Sequence, residues 1–228
     1  MEQLSNGYVL NVPDGCFPLG TDSVALSHFL KVPKNANILD LGSGCGTLGL
    51  LLCARETNCT VTGIELDAAA HNAALENIRR NQLSSRLFSI CADIAAIPER
   101  IAPGSFRCCI TNPPYFTGGP ASTTHPAARL EGSCSLKTLL ASAAWALQYG
   151  GDFAMVHRPE RLAEIFAEAS RVQLEPKRLC LLRHRENAPV SLVLIQCRKG
   201  GRHGLHWEEW SLFDAQGNPT DHYKNLYL

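Results

Sequence analysis

The stretch that most restricts the fold is ILDLGSGCGTLGL, Ile38 to Leu50. A short apolar run, interrupted only by Asp40, gives way to Gly42, Gly44 and Gly46 and then to a helical pattern. A strand that turns directly into a helix returns the chain to the end of the sheet where the strand began, so the next strand runs parallel to it. Glycines at the turn let the backbone approach a ligand closely, and the helix start offers unpaired N–H groups. The stretch therefore predicts an α/β chain with a ligand at the strand-to-helix turn.

The rest of the chain keeps this rhythm. Apolar runs predict strands at Ile38 to Leu41, Thr60 to Ile64, Leu87 to Cys91, Cys108 to Thr111 and Phe153 to His157. Between and after them, helical patterns cover Thr47 to Arg55, Ala68 to about Asn81, Leu136 to Gln148 and about Pro159 to Arg171. Gly150 and Gly151 link the third of these helices to the fifth strand. Leu179 to Arg183 and Ser191 to Arg198 follow each other with no helix between, which predicts an antiparallel pair closing the sheet edge. The expectation is one domain over residues 1–228: a seven-stranded, mostly parallel sheet with a C-terminal antiparallel pair. Phe116 to Gly132 shows no periodicity and is expected to form a lid over a site.

Composition narrows the classes. The chain is 45% hydrophobic and 18% charged, as a globular protein is, and no stretch approaches the roughly 18 apolar residues of a membrane span. The start, MEQLSNGYVL, lacks a basic region followed by an apolar one, so a cytoplasmic protein is expected. None of the ten cysteines is spaced C-x-x-C, and Cys91, Cys108, Cys109, Cys180 and Cys197 lie in apolar runs, where they serve as small hydrophobes. No metal is expected. Net charge is zero, yet residues 171–206 hold eight basic groups against two acids. Such a surplus marks either an anionic partner or a solvated edge.

Three carboxylates refine the ligand. Glu65 ends the second strand, nineteen residues after Gly46, where it can accept both hydroxyls of a ribose. Gly44 to Gly49 fits G-x-G-x-x-G, so a dinucleotide is a rival. Asp40 separates the two readings, because a carboxylate two residues before the first glycine repels a pyrophosphate. It suits S-adenosylmethionine (SAM), which carries an ammonium and a sulfonium. Asp93, after the third strand, either holds the adenine amine or caps a helix. Leu66 and Ile94, which follow Glu65 and Asp93, complete this part of the candidate cofactor set.

The fourth strand stops at Asn112-Pro113-Pro114-Tyr115. Two prolines remove two donors and fix two φ angles, which leaves a stiff turn. The Asn112 side-chain oxygen and the Pro113 carbonyl can both accept hydrogen bonds from one planar NH2 group, while Tyr115 stacks on the base that bears it. Asn112 also borders the cofactor.

Asp40-Leu41-Gly42-Ser43-Gly44, Glu65 and Asn112-Pro113-Pro114-Tyr115, in this order, resemble the class I (Rossmann-like) SAM-dependent methyltransferases that act on planar nitrogens. Phe17 to Ser23, Asn112 to Phe116, Ala128 to Glu131, Arg198 to Gly201 and Tyr223 to Tyr227 are similar to the bacterial tRNA1(Val) adenine-37 N6-methyltransferases. This resemblance implies that residues 1–35 close over the SAM site, with Thr21 and Asp22 near the cofactor. Residues 36–157 would form the SAM-binding core, and 158–228 the rest of the sheet with its basic edge. It also implies a tRNA substrate held by Phe116, Arg129 and Lys199, with basic strands from Arg178 to Lys199 gripping phosphates, in a monomer or weak dimer.

Enzymes that methylate a glutamine amide in release factors share the turn but carry a helical domain ahead of the core, and about 36 residues precede the first strand here. DNA adenine methylation would call for a recognition domain that the chain does not offer. Methylation of guanine N2 in ribosomal RNA remains a rival. An NAD-dependent oxidoreductase leaves Asn112 to Tyr115 unexplained, and a noncatalytic RNA-binding module has no need of Asp40, Glu65 and Asn112 together.

Overall fold

The computed structural model describes residues 2–4, 7–114 and 134–227. Tyr115, Phe116, Arg129 and the expected lid lie outside the described residues. Along the chain run β1 (Glu2–Gln3), β2 (Val9–Leu10), α1 (Thr21–Phe29), β3 (Asn37–Leu41), α2 (Thr47–Arg55), β4 (Thr60–Glu65), α3 (Ala68–Arg80) and β5 (Leu87–Cys91). A 3-10 turn (Ile94–Ala96) leads into α4 (Ile97–Arg100), followed by β6 (Phe106–Thr111), α5 (Leu136–Ala146), β7 (Leu147–His157), α6 (Leu162–Arg171), β8 (Leu174–Arg185), β9 (Leu192–Lys199), β10 (His206–Phe213) and α7 (Asp221–Tyr227).

Eight strands form the main sheet in the order β10-β8-β9-β7-β6-β3-β4-β5. From β5 to β7 all neighbours are parallel, and β9 is antiparallel to both β7 and β8. The expected seven strands are all present. The eighth, β10, corrects the expectation at the edge: it lies parallel to β8 and takes the edge that the antiparallel pair was expected to close. Its sequence, HWEEWSLF, carries two adjacent acids, so it lacks the apolar run that marks the other strands.

The central strands are apolar on both sides because both faces are covered. Ile38, Val61, Cys108 and Leu194 join a core with Leu26 and Phe29 of α1, Leu48 of α2 and Ile78 of α3. Leu39, Ile64, Cys109 and Ile195, an odd number of residues along each strand and so on the other face, join a second core with Leu139 and Leu140 of α5 and Ile165 of α6. Cys108, Cys109, Cys180 and Cys197 are buried in these cores, whereas Cys91 is exposed on the edge strand, against expectation.

A second correction concerns Gly150 and Gly151, which lie inside β7 rather than in a link before it. The helix stops at Ala146, and β6 meets β7 through an irregularity that moves the register from Leu147 to Asp152 within two residues of β6. Gly150 has φ +76°, and a Cβ at Gly151 would meet the Gln148 carbonyl at 2.8 Å, so side chains are excluded at this kink.

The N-terminal segment is sewn down by two amides, Asn77 of α3 and Asn81 at its carboxyl-terminal cap. Asn81 accepts from the Val9 N–H and donates to the Val9 carbonyl, both at 2.7 Å, as a neighbouring strand would. Asn77, fully buried, accepts from the Asn11 N–H and donates to the carbonyls of Asn11 and Cys45, all at 2.9 Å. The segment and the glycine loop therefore share one anchor.

Candidate active site

The chain winds outward from β3 through β4 to β5, then returns to place β6 and β7 on the other side of β3. Between β3 and β6 the winding reverses, and such switch points open a crevice at the carboxyl ends of the strands. Four neighbouring strands deliver one polar group each to that rim: Asn112 after β6, Asp40 in β3, Glu65 ending β4 and Asp93 just past β5. At about 4.8 Å per strand, these groups span roughly 14 Å. Thr111, whose hydroxyl donates to the Leu41 carbonyl at 2.8 Å, ties the two sides of the switch point together.

The glycine loop is folded onto β4. The N–H groups of Gly42 and Ser43 both donate to the Ile64 carbonyl, at 2.9 and 3.0 Å. Gly42, Gly44 and Gly46 have φ of +71°, +54° and +83°, a left-handed backbone that favours glycine. A Cβ at Gly42 or Gly44 would meet nothing within 4 Å, so the loop presents bare backbone to the crevice. Glu65 fixes the loop: one carboxylate oxygen accepts from the Gly44 N–H at 2.7 Å and the other from the Asp67 N–H at 2.8 Å. Each oxygen keeps a second lone pair, which suits a diol. Leu66 beside it is 43% exposed, an apolar surface next to the carboxylate.

Asp40 differs from Glu65. It is 1% exposed, and neither of its oxygens has a hydrogen-bond partner among the described residues. Burial, and then the nearby Glu65 carboxylate, push its pKa up to about 8. An unpaired carboxylate in such a place is costly unless a cation joins it. The ammonium and sulfonium of SAM fit this donor set; a pyrophosphate does not. Asp93 accepts from the Ala95 N–H at 2.8 Å and so caps the 3-10 turn, the alternative foreseen for it, while Ile94 begins that turn and packs on the second core.

Asn112 is half-buried and Pro113 buried at the end of β6. The Asn112 amide donates through Nδ2 to the Ser23 hydroxyl at 3.0 Å, which leaves Oδ1 as the acceptor. Ser23 is itself buried in the first turn of α1. Its neighbours Thr21 and Asp22 are anchored too: Thr21 accepts from the Tyr227 hydroxyl at 2.9 Å, and Asp22 accepts from the Ser23 N–H at 2.8 Å. The beginning of α1 thus touches the reacting turn on one side and the C-terminal α7 on the other. The sequence contains no local signal for the Ser23–Asn112 pair, because its partners lie 89 residues apart.

The basic edge is not one surface. Arg178 donates to the Phe29 carbonyl, Gln196 and Glu208, and Arg198 to Asp152. Lys199 follows Arg198 on β9 and so points to the opposite face, where its ammonium donates to the Leu147 carbonyl at 2.7 Å. A single grip by Arg178, Arg198 and Lys199 together is therefore ruled out by the alternation of the strand. Among the described residues no group of His, Cys, Asp and Glu could hold a metal ion, and no helix is long and apolar enough to cross a membrane.

Sheet order, glycine loop and carboxylate row define a class I SAM-dependent methyltransferase. The chain belongs to the methyltransferase small domain family, whose model matches residues 19–173. It is 30% identical to the tRNA1(Val) (adenine(37)-N6)-methyltransferase of Photobacterium profundum, over 80% of this chain and 78% of that one. Among solved structures, protein Atu636 of Agrobacterium tumefaciens, described as a predicted O-methyltransferase, superposes with a TM-score of 0.76 at 20% identity, covering 90% of this chain and 95% of that one. Geranyl diphosphate C-methyltransferase of Streptomyces coelicolor, solved with S-adenosyl-L-homocysteine, superposes with a TM-score of 0.54 at 14% identity over 78% of each chain. At these identities the two structures bear on the fold alone.

Proposed function

We propose that this chain methylates the exocyclic N6 amine of an adenine in tRNA, with position 37 of a valine tRNA as the target, acting in the cytoplasm as a monomer or weak dimer. The observation that carries the chemistry is the Asn112 amide, whose Nδ2 is held by Ser23 so that Oδ1 is the acceptor. The substrate class rests on the relatives, which are described as acting on that nucleotide.

SAM, when bound, supplies a methyl group carried on a positively charged sulfur. Asp40 holds the cationic part of the cofactor, the Gly42 to Gly46 backbone lies against it, and Glu65 takes the ribose hydroxyls, with Leu66 and Ile94 flanking the adenine and Asp93 offering its remaining oxygen to the adenine amine. Thr21 and Asp22 close the site from α1.

The target amine is a poor nucleophile, because its lone pair is delocalised into the ring. Asn112 Oδ1 and the Pro113 carbonyl each accept one of its N–H groups, which favours a pyramidal nitrogen and stabilises the charge that develops as the N–C bond forms and the S–C bond breaks. The surplus proton then passes to water, and no strong base is needed. Pro113 and Pro114 hold these acceptors in line beforehand, and positioning of this kind contributes on the order of 7 to 11 kcal/mol. Tyr115 and Phe116 stack on the base once it has left its own stack, at a cost of a few kcal/mol. Arg129 and Lys199 bind the RNA backbone, Lys199 from the face of the sheet opposite Arg198.

The test is incubation of the protein with methyl-labelled SAM and unmodified bacterial tRNA, followed by digestion to nucleosides and mass spectrometry. Label in N6-methyladenosine is expected. Label in methylguanosine would reject the adenine assignment while keeping amine chemistry.

A further inference from the structure

At the opposite end of the strands from the carboxylate row lies a cavity of about 390 Å³ with a basic lining. Lys31 follows α1, Arg107 starts β6, Lys177 and Arg178 come from β8, Arg198 from β9, and Asp152 of β7 lies among them. Arg178 is neutralised by Glu208 at 2.8 Å. Four cations therefore face one carboxylate, and neither the fold nor the methyl-transfer chemistry accounts for the surplus.

The arrangement is built rather than incidental. Asp152 is 3% exposed and accepts from Arg198 through both oxygens, at 3.0 and 3.2 Å, with Arg107 at 3.6 Å. Arg107 also donates through Nη1 to the Gly150 carbonyl at 2.7 Å. One buried acid thus fixes two guanidinium planes. Among the described residues, Arg107 Nε and Nη2 and Arg198 Nη1 have no acceptor, Lys31 has no partner, and Lys177 uses one bond, to the Arg202 carbonyl at 2.7 Å. Fixed guanidinium donors flanked by ammonium groups with unused N–H donors suit phosphate oxygens.

We propose that this cavity is a second binding place for the RNA, taking backbone phosphates away from the base being methylated. The proposal rests on the reading of the substrate as RNA and adds where its backbone runs. The path is set by α1, whose first turn touches Asn112 through Ser23 and whose last residue, Phe29, accepts from Arg178 at 2.9 Å. Along β6, Arg107 and Asn112 are five residues apart, about 17 Å. That distance equals roughly five stacked nucleotides on one strand. The cavity therefore grips phosphates a few nucleotides from the target, independently of its sequence.

The test compares tRNA binding by the wild-type protein and by Lys31→Gln, Lys177→Gln and the double variant across a salt series, with SAM affinity as a control on folding. Lys31 has no partner among the described residues, so its replacement leaves the fold intact. Removing one lysine–phosphate pair should make the slope of log affinity against log salt shallower by about 0.7 to 0.9. In the double variant the slope should change by one to two such steps, and the KM for tRNA should rise about tenfold while SAM affinity holds. Unchanged slopes and KM in all three variants, with the wild type methylating tRNA, overturn the site and leave the function standing. Cavity-dependent slopes on an RNA that the wild type does not methylate keep the site and overturn the substrate. Displacement of inorganic phosphate by these substitutions without any effect on tRNA would make it a small-anion site and overturn the proposal.

Discussion

Asp40 and Asp152 lie on the same face of one sheet, both almost fully buried, and they are treated in opposite ways. Asp152 sits at the amino-terminal end of the strands and is enclosed by two guanidiniums. Asp40 sits near the carboxyl ends, and among the described residues its oxygens have no hydrogen-bond partner. A buried carboxylate that the protein has satisfied is scaffold; one that it has left unsatisfied marks the place of a cation from outside. The difference separates the cofactor end of the molecule from the end that faces phosphate, and it follows from where the charged partners stand in the sequence. Arg198 is in register with Asp152 across β7 and β9, and Arg107 precedes Cys108, the residue that pairs with Asp152 on β6, whereas Asp40 is flanked by Ile110 and Gly63, which carry no charge.

Substitutions separate the two ends of the sheet. The largest effect is expected at the reacting turn: Asn112→Ala should lower kcat by about 100- to 1,000-fold, as loss of a preorganised partner for developing charge does, with SAM affinity within a few fold. Loss of SAM binding would make Asn112 a cofactor residue first.

The two aspartates should then diverge. Asp40→Asn should weaken SAM binding by about 10- to 100-fold in calorimetry, yet raise the melting temperature of the cofactor-free protein, since it removes a buried unpaired carboxyl group. Asp152→Asn should do the reverse, leaving SAM affinity in place and costing about 2 to 3 kcal/mol in denaturant unfolding, less than a fully buried pair because Arg198 is part exposed. If both variants moved the same quantity, the distinction would be lost.

A smaller effect is expected at Ser23. Ser23→Ala frees the Asn112 amide to rotate and should lower kcat about tenfold with little change in KM for SAM, and Ser23→Thr should restore most of it. A change in SAM affinity instead would assign Ser23 to the cofactor.

What the sequence revealed and what it concealed divide along a physical line. Gly42 to Gly46 and Asn112 to Pro114 were legible because their roles depend on local backbone geometry, which residue type fixes. The succession of strands β3 to β9 along the chain was legible from the alternation of strand and helix, whereas β1 and β2, two residues each, gave no periodic signal. The Ser23–Asn112 bond, the Asn77 and Asn81 latches and the Asp152 scaffold were not, because each joins residues that only tertiary packing brings together. The basic run from Arg171 to His206 misled as a unit: a strand sends Arg198 and Lys199 to opposite faces, and only the structure shows which other cations, Lys31 and Arg107, stand with Arg198. Strand β10 was hidden because Glu208 and Glu209 interrupt its apolar pattern; Glu208, half-buried, pairs with Arg178 of β8, and Glu209, exposed, lies 3.7 Å from Arg183.

The pKa of Asp40 turns the central claim into one titration. In the folded, cofactor-free protein its carboxyl group is raised from an ordinary value of 3.8 to about 8, so the stability it confers is present below pH 4 and is lost as pH rises toward 8. Binding a cation there must ionise it. SAM should therefore bind more tightly as pH rises toward 8, and at pH 7 its binding should release most of one proton. Calorimetry of SAM binding at pH 7 in two buffers of different ionisation enthalpy measures that number directly. A release of most of one proton is expected in the wild type and none in Asp40→Asn; equal heats in both buffers for the wild type, with SAM bound as tightly by the variant, would rule out Asp40 as the cation's partner.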